Sequence, residues 1–347
     1  MNVIILICIS LSIILPSKIG VFLFFVNLLL LLASDLIRRA ISINLVAILF
    51  ITVLLLIQNL YFNDFYFDGV KIIALFYLLL RNYVVFSRYS LLVISKIVVV
   101  LSFLIIVLQM VFPHFHFWGI ISENQYQYAN FSAGYAPLSS TGHPTHAAYI
   151  NMISSVVLFM GGGAIFYPLL GFISLLLLKN KVCLFVYFLA ISVFLLNKRG
   201  FRIVLLLPIV IFAGTVAYYV LFSHYINEWS ESSFNAHTIN HRLELLNGTL
   251  ERLKEFRFIL LGEPHMVVYA GDYPFDSLFL LLVTRYGIPL TLFLYIFIFR
   301  LSMRVGGLPL FIAITMPSLT AITFYHFSFI IYVGALLSMK ESVVLEK

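Results

Sequence analysis

Uncharged apolar runs about the length of a membrane crossing recur from one end of this chain to the other. AISINLVAILFITVLLLIQNL, residues 40–60, contains no charged side chain. A hydrocarbon core about 30 Å thick needs roughly 20 such residues wound as a helix. In lipid, every backbone N–H and C=O must be satisfied within the protein, so an isolated run of this kind can only be a helix. The runs predict spans at 3–15, 19–33, 40–60, 69–86, 91–112, 147–163, 165–178, 182–196, 203–222, 276–299, 306–321 and 323–338. That is about twelve transmembrane helices, or eleven if 306–338 crosses once with a break, in an all-α polytopic integral membrane protein. With 63% hydrophobic and 10% charged residues and a mean hydropathy of +1.09, the chain falls outside the soluble class.

The remaining composition excludes several function classes. The first residues lack a basic n-region and an A-x-A-like site, and another apolar run follows Pro16-Ser17-Lys18 at once, so no cleavable signal peptide is expected. Cys8 and Cys183 both fall in apolar spans and offer neither a disulfide framework nor a metal cluster. The net charge of +7 is the ordinary excess of Lys and Arg in cytoplasmic loops, and no nucleic-acid partner is expected.

Arg38-Arg39, Arg81 with Arg88, Lys198-Arg199 with Arg202, and Arg300 with Arg304 flank alternate span ends. The positive-inside rule places those ends in the cytoplasm. The opposite ends, 59–68, 113–146 and 223–275, then face outward. Lys179-Asn180-Lys181 lands on the wrong side of this scheme. The chain divides into an N-terminal transmembrane bundle over 1–222 with its outer loop at 113–146, a large outer loop over 223–275, and C-terminal transmembrane helices over 276–347. In a bacterium with two membranes the outer face of such an inner-membrane protein is the periplasm.

The large loop is dense in charge. HRLELLNGTLERLKEFRFILLGEP, His241 to Pro264, carries Arg242, Arg252, Lys254 and Arg257 with Glu244, Glu251, Glu255 and Glu263. Ile239, Leu243, Leu246, Leu250 and Leu253 recur at helical steps, predicting an amphipathic helix over 239–256 that lies on something apolar. A surface helix capping the bundle would account for that stripe, but not for Arg242, one residue off it. The other outer loop holds His114-x-His116, Glu123 and His143-x-x-His146. Structural zinc sites show tighter, cysteine-containing spacing, so no metal is expected, and the Tyr, Trp, Asn and Gln of this loop suit a carbohydrate. Lys71 and Lys96 lie within a turn or two of an interface and can snorkel to it. Gly161-Gly162-Gly163 lacks the strand and the Lys-Ser/Thr of a phosphate loop and reads as a hinge. No nucleotide fingerprint is present, and no cofactor is expected.

Two stretches carry a resemblance when taken together. One is LLNKRGFRIVLL, around Arg199; the other runs from Arg242 through FILLGEP to DYPFDSLFLLLVTRYGIPLTLFLYIF. They resemble the O-antigen polymerase and ligase superfamily, whose members place an Arg before a periplasmic helix, then a hydrophobic-Gly turn, then a polar pair opening a span that ends Gly-hydrophobic. Here those elements are Arg242, Leu260-Leu261-Gly262, Asp276-Ser277, and Tyr286-Gly287-Ile288. The match covers about 197–300, and more weakly 126–160. Ligases carry His-Asn where this chain has Asp276-Ser277, so the chain is closer to a Wzy-type polymerase. The family often has Ser where Lys198 stands. Ligases also keep the first Arg periplasmic, whereas the spans above put Arg199 in the cytoplasm. Either Arg199 is a topogenic charge or one span assignment is wrong.

The resemblance implies a GT-C-like, metal-independent glycosyltransferase that polymerises polyprenyl-diphosphate-linked oligosaccharide repeat units at the periplasmic face. Its partners would be lipid-linked donor and acceptor, membrane lipid, a chain-length regulator and a flippase. A diphosphate leaving group needs fixed positive charge, which Arg supplies as a planar fork; Arg242, Arg257, Arg285 and Arg199 are candidates, and His143 and His146 are candidates for sugar contacts. A carboxylate would take the acceptor proton, Asp276 first, then Asp272 and Glu263. Asp276 would equally serve as the N-cap of the span it opens. The alternatives are a ligase acting on lipid A core and a flippase of lipid-linked sugars. No inverted repeat of the transporter kind is visible.

Overall fold

The computed structural model describes residues 2–15, 17–37, 44–61, 69–80, 87–112, 137, 139–141, 143–162, 164–199, 244, 246–263, 277–319, 327–339 and 343. The expected span at 203–222, most of both long outer loops, and Arg242, Asp272 and Asp276 lie outside these residues. Among the described residues there is no β-strand. The described helices, in chain order, include α1 (Asn2–Ile14), α2 (Ser17–Ile37), α3 (Asn44–Tyr61), α4 (Gly69–Leu80), α5 (Arg88–Val111), α6 (Pro144–Met160), α7 (Phe166–Leu177), α8 (Lys181–Arg199), α9 (Phe256–Leu261), α10 (Leu278–Val305), α11 (Gly307–Thr315) and α12 (Phe327–Leu337). A short helical segment at 246–252 precedes α9, and a 3₁₀ turn, Met316–Leu319, extends α11.

Among the described residues, three stretches are long and apolar enough to cross a membrane: Ile19–Ile37, Arg88–Val111 and Leu278–Val305. Six shorter apolar helices of 10–17 residues pack among them. The chain is therefore a membrane-embedded all-α bundle. Helix starts follow local chemistry. The Ser87 hydroxyl accepts from the Ser90 N–H at the start of α5, and Pro144 occupies the first turn of α6, where its missing N–H costs nothing.

Two of the described helices are buried on nearly every side, the mark of a central position. Helix α6 is enclosed by α5, α7, α8 and α11, and α12 by α1, α2, α4 and α10. Without a solvent-driven force between them, helices in lipid gain most from close approach at small residues. Gly171 of α7 does this against Ser155 of α6: an added Cβ would lie 1.7 Å from the serine Oγ.

Cross-helix bonds show which helix ends share a side of the bundle. Arg304 donates to Leu337 O at 3.2 Å, and the Val343 N–H donates to Val305 O at 2.7 Å, so α10 and α12 finish together. At the other end, Ser139 N donates to Gln109 Oε1 at 2.7 Å, Tyr149 Oη to Ile314 O at 3.2 Å, and Ser277 Oγ to Ser318 O at 3.4 Å. That end gathers the end of α5 and the starts of α6 and α10. Lys96, which the sequence places near the inner end of its span, lies 5.2 Å from the Tyr167 ring centroid.

Candidate functional site

Residues 246–252 are helical, 253–255 form a turn, and α9 restarts at Phe256. The single helix expected over 239–256 therefore stops at Arg252 within the described part. The buried side chains of this segment are Thr249, 1% exposed, and Phe258, whereas Leu246 and Leu250 of the expected stripe are 39% and 53% exposed. A turn is needed to swing Phe258 inward after Thr249, and it leaves the leucines facing outward.

Helix α9 ends at Gly262, whose φ of 63° and ψ of −166° fall in a region essentially reserved for glycine. Helix α10 breaks at Gly287 in the same region, φ 77° and ψ 169°, with Pro289 two residues on. The two glycines meet. A Cβ on Gly262 would lie 2.5 Å from Arg285 C and Tyr286 N, and one on Gly287 would lie 2.5 Å from Leu260 O. The two glycine-containing motif elements, separated by 25 positions in sequence, form one interlocked junction.

A break inside an apolar helix frees backbone groups that lipid cannot satisfy. Gln58 of α3, 3% exposed, supplies the missing donor: its amide donates to Leu261 O at 2.5 Å and also to Arg285 O. Glu263 N donates to Thr284 O at 2.7 Å, fastening the chain beyond the turn to the first half of α10.

Charged groups cluster on the outward side of this junction. The Glu263 carboxylate lies 3.5 Å from Arg252, Arg257 Nε donates to Glu255 at 2.7 Å, and Lys254 pairs with Glu251 at 2.7 Å. Arg252 and Arg257 flank the Phe258 ring at 5.4 and 5.2 Å from its centroid. All three pairs are substantially exposed, where an ion pair is worth at most about 1 kcal/mol, so an anionic ligand can exchange for the carboxylates at small cost.

The two histidines occupy the start of α6. His143 caps it, Nδ1 accepting from Thr145 N at 3.2 Å, and stacks on His146 with ring centroids 4.4 Å apart; His146 meets the edge of Phe329. Tyr149 reaches Ile314 O, Ser318 donates to Thr315 O, and Ser277 donates to Ser318 O, tying the start of α6 to that of α10. Both helix starts lie at one end of the bundle, where the positive end of the helix dipole favours an anion.

Among the sequence-derived candidates, then, Glu263 and the Arg285 main chain lie at the glycine junction and Arg257 on the helix leading into it, while His143 and His146 sit at the start of α6. Arg199 is the last residue of α8, and its side chain lies outside the described residues. The cap of α10 is Ser277, whose Oγ accepts from Leu280 N at 3.3 Å, not Asp276. Both types cap well, and φ/ψ selects the second: Ser277 is extended while Leu278 is helical. Gln58, Arg252 and Thr284 are the contributors that sequence reasoning missed. Gln58 carried a signal, an amide beside Asn59 near the end of an otherwise apolar span. Among the described residues no group of three His, Cys, Asp or Glu is placed to hold a metal ion. No family model matches this chain, and no curated protein or solved structure is significantly similar to it.

Proposed function

We propose that this protein is a Wzy-type O-antigen polymerase, a GT-C-like enzyme of about twelve spans in the bacterial inner membrane with its active face in the periplasm. The observation that supports the reading is the glycine junction. Leu260-Leu261-Gly262 and Tyr286-Gly287-Ile288, which carry the sequence resemblance, are in contact and held by Gln58. Motif elements that serve one site should be neighbours in space, and these are.

In the proposed reaction, a hydroxyl of the terminal sugar on one lipid-linked repeat attacks the anomeric carbon of the growing chain on another. The new glycosidic bond forms as the bond to the diphosphate breaks. The polyprenyl diphosphate leaves with the bonding electron pair, and the hydroxyl proton passes to a carboxylate. Asp276, one residue before the α10 cap, is the first choice for that base, with Asp272 and Glu263 behind it. Arg242, Arg257 and Arg285 supply positive charge to the diphosphate as negative charge develops on it. Exposed Leu246, Leu250 and Phe256, on the segment that carries Arg257, suit a polyprenyl tail.

The test uses purified protein in lipid with a labelled polyprenyl-diphosphate repeat unit, with and without lipid A core. A ladder of lipid-linked polymer from wild type, lost in Arg242→Ala and Asp276→Asn, is the expected result. A ladder untouched by both substitutions would discard the residue roles. Product formed only when lipid A core is present would make the enzyme a ligase. Label crossing the bilayer without transfer would replace the polymerase with a flippase.

A further inference from the structure

A polar track runs through the interior of the bundle, away from the glycine junction. Helix α5 carries Ser95, Ser102 and Gln109 at seven-residue spacing, which keeps them on one face, and all three are buried. At about 1.5 Å per residue they cover about 21 Å of a hydrocarbon core about 30 Å thick.

Hydrogen bonds join Gln109, Ser139, Ser102 and Asn151 in one line. Gln109 Oε1 accepts from Ser139 N at 2.7 Å, Ser139 and Ser102 share a hydroxyl bond of 3.0 Å, and Asn151 Nδ2 donates to Ser102 Oγ at 2.5 Å. One turn further along α6, Ser154 turns toward the Tyr332 phenol of α12, as Ser95 does from α5. Ser139 holds a left-handed φ of 58° to enter this line.

Hydroxyls in membrane helices ordinarily bond back to the carbonyl four residues earlier. Ser10, Thr52, Ser174, Ser192, Thr291 and Thr315 all do so here. Ser95, Ser154 and Ser155 make no such bond, and the first two turn toward Tyr332. Asn151 is fully buried, and its Oδ1 accepts no hydrogen bond; the same holds for Ser155 Oγ. A buried acceptor without a donor is destabilising, and a water bonded to two to four polar groups removes that cost.

We propose that this track holds a file of water molecules, entering beside Gln109 and Ser139 and ending at Tyr332. Lined by hydroxyls and amides without fixed charge, it admits water from that one end, while a hydrated salt ion finds no counter-charge there. The proposal does not depend on the polymerase reading.

Substituted cysteines test it, because only a thiol reached by water ionises and reacts with a polar thiosulfonate. In a chain with Cys8 and Cys183 replaced by alanine, Ser102→Cys and Ser154→Cys should react at least about tenfold faster than Val100→Cys and Val156→Cys, which face away from the track on the same helices. Adding Asn151→Leu should block Ser154→Cys while sparing Ser102→Cys, which lies nearer the entrance. Serine positions no faster than the valines would overturn the track, as would labelling at Ser154→Cys unaffected by Asn151→Leu. Size-exclusion elution of each variant separates a closed track from a misfolded chain.

Discussion

Replacing Gly287 with alanine should open the junction between the charged loop and α10, at a cost that can be worked out from the backbone. Alanine at φ 77° and ψ 169° occupies a region essentially closed to side chains, costing about 1–3 kcal/mol. Its Cβ would also lie 2.5 Å from Leu260 O, 2.7 Å from Leu260 C and 3.0 Å from Ile259 O. None of these atoms can rotate away, because all are main chain, so overpacking adds about 1–3 kcal/mol. The sum is about 2–6 kcal/mol, a large share of the roughly 5–15 kcal/mol that holds a domain together. Gly262→Ala should behave alike, meeting Arg285 and Tyr286 backbone from the other side. The double variant is the sharper test. Once one methyl has pushed the turn off α10, the second meets no wall and adds only its own backbone strain. The double should therefore cost about 1–3 kcal/mol less than the two singles summed, a coupling typical of residues in contact. Unfolding titrations in mixed micelles, followed by far-ultraviolet circular dichroism, measure all four species. Single variants within about 0.5 kcal/mol of wild type, or a double equal to the sum, would show that the two glycines do not meet.

Gln58→Leu keeps the volume but strands two buried carbonyls, so it should destabilise by about 1–3 kcal/mol in the same titration; a neutral result would mean that those carbonyls find other donors. Ser277→Ala should cost about 1 kcal/mol through the lost α10 cap, and Asp276→Ala close to nothing in stability; the reverse order would return the cap to Asp276. Arg252→Ala should change stability by less than about 1 kcal/mol, because its pair with Glu263 is half-exposed. If Arg252 also serves the diphosphate, the same variant should raise the KM for the lipid-linked repeat.

The helices could be read from the sequence because the requirement is simple: runs such as 40–60 have no other stable form in lipid. The two glycine motifs were visible for a similar reason, since each interrupts an apolar run. Their contact was not, because nothing local to Gly262 encodes what it will meet 25 positions later. The leucine stripe misled on its partner. Lipid and protein interior are equally apolar, so the period of Leu246 and Leu250 marks an apolar face without saying which medium covers it, and here buried Thr249 points inward instead. Asp276-Ser277 offered two good caps in succession, and only the backbone angle chooses. Gln109, Asn151 and the buried serines were lost among the long runs that hold them, because their meaning lies in alignment across helices rather than within one.

Helix α12, enclosed by α1, α2, α4 and α10, is the last of the described helices along the chain. Its neighbours emerge from the ribosome earlier, so for most of synthesis they surround a vacant slot that lipid must fill. The bundle cannot close until Phe327–Leu337 displaces that lipid and takes its place. Native packing thereby becomes a late checkpoint: a chain stalled before residue 327 is left as an open ring, presenting to quality-control proteases the apolar faces that α12 would have covered.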